Sequence, residues 1–407
     1  MSPLDTVQSY LRYPEVGYLL LIFAVFVIPK FLQRFRLPAA ITAFGLGIIA
    51  SLGFDLFHAD ETVKLLSTLG IVSLFLHAGL DVSPSELRKN SRVLIQHVLL
   101  FLLMLGLTAV ALIWMTDLTW RMSILVGLAL VTPSTGFILD SIKVLPLSPE
   151  EREWIRNKAI AAELVALGIL FVAVQSLTIN TLLVSLAVLL GLVILIPMLL
   201  RFFARRIAPF APNSEFAFLI ILALACAFVT KQTGTYYLVG AFLVGVAAQQ
   251  FRQHLPAVAS ERLIGAVELF ASFFVPFYFF HSGSIVTRQD FEPVAWLFAV
   301  GFVLLALPLR AGVVMLHRYV VLKESFKTGL RVSIPMLPTL VFTLVIAQLL
   351  REKFELATQY YGALIIYAVI SSLVVTFGFK SIEPDFGDDL ATDGVSRISK
   401  GTARSEF

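Results

Sequence analysis

Residues 130–143 read LVTPSTGFILDSIK, and this stretch decides the fold. Apolar residues flank Thr132, Pro133, Ser134 and Thr135, so a helix begins, breaks and resumes. Pro133 removes a backbone donor and its ring clashes with the preceding turn. A charged connector follows, PLSPEEREWIRNK (146–158), and then AIAAELVALGILFVAVQS (159–176), an apolar helix with one carboxylate, Glu163. A broken helix beside a lone acid at membrane depth is how a bilayer protein assembles an ion site.

The rest of the chain agrees with a membrane setting. Of its 407 residues, 58% are hydrophobic and only 14% charged, and the mean hydropathy is +0.89. Soluble domains carry about 25% charge. Apolar runs of about 18 or more residues recur along the chain, long enough to cross the hydrocarbon as helices. Barrel strands would be about half that length and would alternate. The expected fold is an all-α polytopic membrane protein of about thirteen transmembrane helices, over 14–33, 37–54, 61–80, 92–116, 119–143, 154–176, 179–206, 213–231, 234–250, 262–285, 291–317, 327–351 and 357–380. Residues 1–380 form the membrane unit. Residues 381–407 are polar, first acidic and then basic, and read as a disordered cytoplasmic tail. The first apolar run lacks a basic region before it and a small-residue cleavage site after it, so it reads as a retained helix.

Charge sets the orientation. With the N-terminus outside, Lys and Arg gather in the cytoplasmic segments, among them Arg34 and Arg36, Arg88 and Lys89, Arg152 and Arg156, and Arg205 and Arg206. The outer side keeps Arg12, Lys64, Arg121, Lys231, Arg288, Arg351 and Lys353. This asymmetry satisfies the positive-inside rule and accounts for the net charge of +4 without a nucleic-acid partner. Cys226 is the only cysteine, so no intrachain disulfide and no thiolate metal site exist. No Gly-rich phosphate loop, metal-ligand cluster or nucleophile triad is present. Neither enzyme chemistry nor a cofactor is expected.

A second interrupted segment, RVSIPMLPTLVFTLVIAQLL (331–350), carries Pro335 and Pro338. It falls in the twelfth span and the first break in the fifth, so the two run in opposite directions, as in an inverted repeat. Paired interrupted helices in corresponding halves point to a transporter's midplane site. Unwound carbonyls and the hydroxyls of Thr132, Ser134 and Thr135 are ligands suited to a hard cation. A carboxylate at bilayer depth costs several kcal/mol unless paired, protonated or hydrated. Glu163 can therefore hold either a proton or a cation, and that competition is an exchange mechanism. Arg310, mid-span, does not release its proton at working pH. It reads as electrostatic support for Glu163, or as a structural pin to Glu268 or to broken-helix carbonyls. The aromatic run FFVPFYFFHSGS (273–284) reads as packing and interfacial belt.

In order along the membrane unit, RLPAAITAFGLGI (36–48), FLHAGLDVSPSELRKN (75–90), LALVTPSTGFIL (128–139), GAFLVG (240–245) and AVELFASFFVPFYFFHSG (266–283) resemble motifs of the cation:proton antiporter superfamily, most closely its Kef-like, Na+/H+ exchanger-like membrane domain. The resemblance implies two crossed broken helices, a dimerisation domain, a homodimer and elevator-like alternating access. It places Glu163 at the ion-binding carboxylate, Thr132 and Pro133 at the first crossover, Glu268 on the family's acid, and Arg310 at the basic position of the late core helices. The family usually has Asp at the carboxylate, preceded by Asp, Asn or Gln. Here Glu163 follows Ala162.

The expected function is exchange of a monovalent cation, Na+ or K+, for H+ across a bacterial inner membrane, electroneutral because one acid titrates. Two rival readings are a diverged membrane sensor or assembly subunit, and an organic-anion carrier using Arg310.

Overall fold

The computed structural model describes residues 14–35, 37–58, 60–82, 91–145, 147–176, 178–233, 238–250 and 261–378. The expected tail (381–407), the basic loop 83–90 and Arg36 lie outside them. The described residues are helical with short connections. In chain order the helices are α1 (Pro14–Gln33), α2 (Ala39–Ile48, with a π turn to Gly53), α3 (Glu61–Leu80), α4 (Ser91–Met115), α5 (Trp120–Val131), α6 (Thr135–Val144), α7 (Pro149–Gln175) and α8 (Ile179–Phe202). After these come α9 (Glu215–Gln232), α10 (Leu238–Gln250), α11 (Glu261–Ser284), α12 (Pro293–Val321), α13 (Phe326–Ser333), α14 (Leu340–Phe354) and α15 (Thr358–Gly378).

Ten helices among the described residues are long and apolar enough to cross a bilayer, eleven when Phe326–Met336 and Leu340–Phe354 are taken as one span bent by 49°. Ala39–Gly53 and Leu238–Gln250 are shorter apolar helices at the second and ninth expected positions. Each of the thirteen expected spans therefore has a helical counterpart, but ten or eleven reach spanning length.

Sequence accounts for the boundaries that matter. Pro149 opens α7, and Ser148 caps it in a reciprocal pair with Glu151. Thr119 caps α5 by accepting from the Met122 N–H. α5 stops at Val131 because Thr132 precedes Pro133 and is pushed to extended backbone, φ −76° and ψ 119°.

The helices pack as two groups. In the first, α3 lies against α10 and α11, and α11 also against α2. Glycines make this approach possible. A Cβ at Gly79 would collide with the Phe242 carbonyl, and one at Gly245 with the Leu76 carbonyl. The GAFLVG stretch is thus a close-packing seam. In the second group, α5 lies against α4 and α14, and α15 against α12 and α14. Every residue of Leu125–Val131 and of Leu340–Ala347 is buried, so these stretches of α5 and α14 are enclosed on all sides. α8 is the opposite, with Ile179, Leu183 and Ile194 exposed on a surface suited to lipid.

Candidate functional site

The two breaks meet. The Ser134 N–H donates to the Pro338 carbonyl at 2.9 Å, joining the interruption between α5 and α6 to that between α13 and α14. A helix end in lipid must place its freed backbone groups on partners. Here protein groups supply them. The Thr343 hydroxyl donates to Ala129 O at 2.8 Å, and the Tyr367 hydroxyl to Leu130 O at 2.7 Å. Arg310 sits between the breaks. Its Nη1 donates to Leu337 O at 2.6 Å and Leu130 O at 3.4 Å, and its Nη2 to Met336 O at 2.5 Å. Nη1 also donates to the Tyr367 hydroxyl at 3.3 Å. Thr343, Thr339 and Ser371 continue the network, with Oγ1 to Oγ1 at 2.8 Å and Thr339 to Ser371 at 3.1 Å.

This arrangement selects among the ligands expected from sequence. The carbonyls of Ala129, Leu130, Met336 and Leu337 accept hydrogen bonds from Arg310, Tyr367 and Thr343. Thr132 is wholly buried, and its hydroxyl donates to Leu128 O at 2.6 Å, one turn back in its own helix. It does not line the cavity described next. Ser134 and Thr135 do; neither buried hydroxyl closes a hydrogen bond within the protein, and that of Thr135 faces the Glu163 carboxyl.

That cavity is an open space of about 760 Å³ between the two helix groups. α3 contributes His77 and Asp81, α7 contributes Arg152, Glu153, Arg156 and Glu163, and α11 contributes Glu268. Glu163 is 7% exposed. The polar groups acting on its carboxyl are the hydroxyl and backbone N–H of Thr135, at the start of α6, and the charge of Asp81. Glu163, Ser134 and Thr135 are therefore brought together. Glu268 shares the cavity but is exposed. Arg310 lines a separate small space on another side of α7, together with Pro133 and Ala162. Its terminal nitrogens are engaged with carbonyls and a tyrosine, the structural pin among the roles expected for it. Pro335 lies in the short 3-10 turn Ile334–Met336, and Pro338 supplies the carbonyl that Ser134 meets.

Sequence reasoning did not single out Thr339, Thr343, Tyr367 or Ser371. Their signal was polar residues inside apolar runs, which is weak because membrane hydroxyls commonly bond their own helix. Asp81 lies in the 75–90 stretch that resembles the family's motif, without being singled out there.

The arrangement is an acid and two unpartnered hydroxyls at a broken helix, reached through an open cavity. Known proteins share the family and the fold. The family model described as "Sodium/hydrogen exchanger, transmembrane" matches residues 20–382. A "Probable Na(+)/H(+) antiporter 3" of Methanocaldococcus jannaschii is 32% identical over 81 residues, 19% of this chain and 21% of that protein. The match thus spans about a fifth of that relative's length. The structure described as the sodium proton antiporter MjNhaP1 of the same organism at pH 8 superimposes with a TM-score of 0.65. The alignment covers 89% of this chain and 94% of that one at 14% identity, a likeness of fold. An electron-microscopy structure of the same antiporter gives a TM-score of 0.64. With the family model covering most of its length, this multi-pass membrane chain belongs to the sodium/hydrogen exchanger transmembrane family.

Proposed function

We propose that the chain exchanges a monovalent cation, Na+ or K+, for protons at Glu163. The observation that carries this reading is the buried Glu163 carboxyl beside the unpartnered hydroxyls of Ser134 and Thr135, at the inner end of an open cavity. A partly dehydrated Na+ or K+ takes oxygen ligands, and this triad offers a carboxylate and two hydroxyls with water from the cavity completing the shell. When the carboxyl carries a proton it is neutral and no longer attracts the cation. The two states exclude each other at one group, which makes influx of one ion depend on efflux of the other. One titrating acid per site gives one-for-one, electroneutral exchange.

The cavity is lined by Arg152 and Arg156 of the first turns of α7, next to the α6–α7 connection. With the N-terminus outside, as the basic residues suggest, that side is cytoplasmic and the conformation is inward-facing. Alternating access then follows from displacement of the group holding α5–α7 and α12–α15 against the group holding α3, α10 and α11, since the cavity lies along their boundary. Arg310 keeps the breaks intact during that movement.

The test is reconstitution into proteoliposomes with a pH-sensitive dye. Adding Na+ or K+ to acid-loaded vesicles collapses the gradient with wild-type protein and leaves it standing with Glu163→Gln. Equal signals from the two proteins would reject exchange at this carboxyl. The same assay run across Li+, Na+, K+ and Rb+ identifies the cation.

A further inference from the structure

We propose that a face of α7 turned away from Glu163 holds one small monovalent anion of the chloride class, between the Lys158 ammonium and the His97 imidazole.

The placement follows from helical period. Trp154, Lys158 and Ala162 recur every four residues on α7 and share one side of it. That side meets Gln96 and His97 of α4 and His317 and Arg318 of α12. The His97 ring lies 5.0 Å from the Trp154 ring and 5.4 Å from that of His317. The Lys158 ammonium sits 5.5 Å from the centre of the Trp154 ring, and the Arg318 guanidinium 4.7 Å from it.

Among the described residues the cluster has donors and charge without a matching acid. Lys158 is 9% exposed, and among the described residues no carboxylate pairs with it. Arg318 already has its acid, Glu324, at 2.7 Å. A buried ammonium left unpaired costs several kcal/mol, so a counter-charge is called for. His97 is 2% exposed, and neither ring nitrogen has a partner. The Trp154 indole nitrogen and His317 Nδ1 are also without one. Gln96 Oε1, the amide acceptor at the cluster, is already 3.4 Å from His317 Nε2. Of these groups, the Lys158 ammonium and the His97 ring line the small cavity shared with Arg310, and an ammonium beside an imidazole N–H suits an anion and repels a cation.

Size narrows the class. The cavity that His97, Lys158 and Arg310 line has about 30 Å³ of room, with Phe101, Val314 and Met336 among its apolar walls. That holds one monatomic ion or one water, and no phosphate or carboxylate-bearing molecule. Arg310 contributes field more than ligation, because its terminal nitrogens are on the carbonyls of the breaks. The bound ion would tie α4 and α7 to the crossover, so its effect is read as stability. This inference does not depend on cation exchange at Glu163.

The test compares melting temperatures of the purified full-length protein in NaCl, NaBr and sodium gluconate at equal Na+, ionic strength and pH. Wild type gains about 2–5 °C, saturably, in chloride and bromide over gluconate. Lys158→Met and His97→Phe each lose that difference, with Lys158→Gln standing in should the first fail to fold. Bromide-soaked crystals show an anomalous peak beside Lys158. Equal melting of wild type in all three salts overturns the proposal. So does a chloride shift that survives in both variants, or stabilisation by anionic phospholipid alone with none by chloride.

Discussion

Ser134 and Pro338 are joined by one backbone hydrogen bond of 2.9 Å, across 204 positions of sequence (338 minus 134). The residues that break two helices thus satisfy one another where they break. Ser134 offers the N–H exposed at the start of α6, and Pro338 offers a carbonyl freed before α14. The bond also fixes the Ser134 hydroxyl and Thr135 at the mouth of α6, facing the cavity that holds Glu163. Backbone repair and the proposed ion site are built from the same residues.

Removing the two unpartnered hydroxyls separates binding from folding. Ser134→Ala removes a hydroxyl with no protein partner, and Thr135→Val removes one whose only protein neighbour in that role is the Glu163 carboxyl, so melting changes by less than about 2 °C. Each raises the cation KM about 5- to 30-fold, a loss of roughly 1–2 kcal/mol of ligation. Thr132→Val, whose hydroxyl faces its own helix, leaves KM within about twofold. Dye-quench titrations on the three variants measure this directly. A Thr132→Val effect as large as the others would remove Ser134 and Thr135 from their assigned role.

Under the proposed exchange, proton and cation compete for the Glu163 carboxylate, and the sign follows. Lowering the pH fills Glu163 with protons, so more cation is needed for half-maximal exchange, up to about tenfold per pH unit at the acid limit. At high pH the cation KM levels off. The maximal rate falls there instead, because protons become scarce. Initial rates over a grid of cation concentration and pH test this. A KM independent of pH between 5 and 9, on the order of four decades of proton activity, excludes competition at a single group.

Arg310 holds carbonyls from both breaks, so its loss is structural before it is electrostatic. Arg310→Met leaves Leu130, Met336 and Leu337 carbonyls without that donor, at about 1–3 kcal/mol for each buried group. Thermal stability falls by several degrees, and exchange is lost with it. Arg310→Lys keeps the charge without the planar fork and recovers only part of the stability. Tyr367→Phe removes a donor to the same Leu130 carbonyl. A double-mutant cycle of Arg310 and Tyr367 therefore shows coupling of about 0.5–3 kcal/mol in the melting data. Additive effects would mean that the two side chains stabilise the break separately.

Glycines differ by what stands opposite them. Gly245→Ala drives a methyl group into the Leu76 carbonyl and forces α10 away from α3, at a cost of roughly 1–3 kcal/mol. Gly168→Ala on α7 meets open space and is neutral or stabilising by up to about 1 kcal/mol. Detergent-solubilised melting curves distinguish the pair. Equal losses would show that α3 and α10 are not in that contact.

Composition, hydropathy and two proline-bearing interruptions determined, without coordinates, that the chain is a polytopic helical membrane protein, where its helices break and which acid stands beside the first break. Those properties are local: an apolar run long enough to span, a missing N–H at Pro133, a lone carboxylate at Glu163. What the tertiary structure alone decided is who satisfies whom. Arg310 and Leu130 are 180 positions apart, and Tyr367 and Leu130 237 apart, and no periodicity links such residues. Packing brings them together because buried carbonyls must have donors. In doing so it assigned Arg310 to the breaks, turned Thr132 back onto its own helix, and left Ser134 and Thr135 as the hydroxyls beside Glu163.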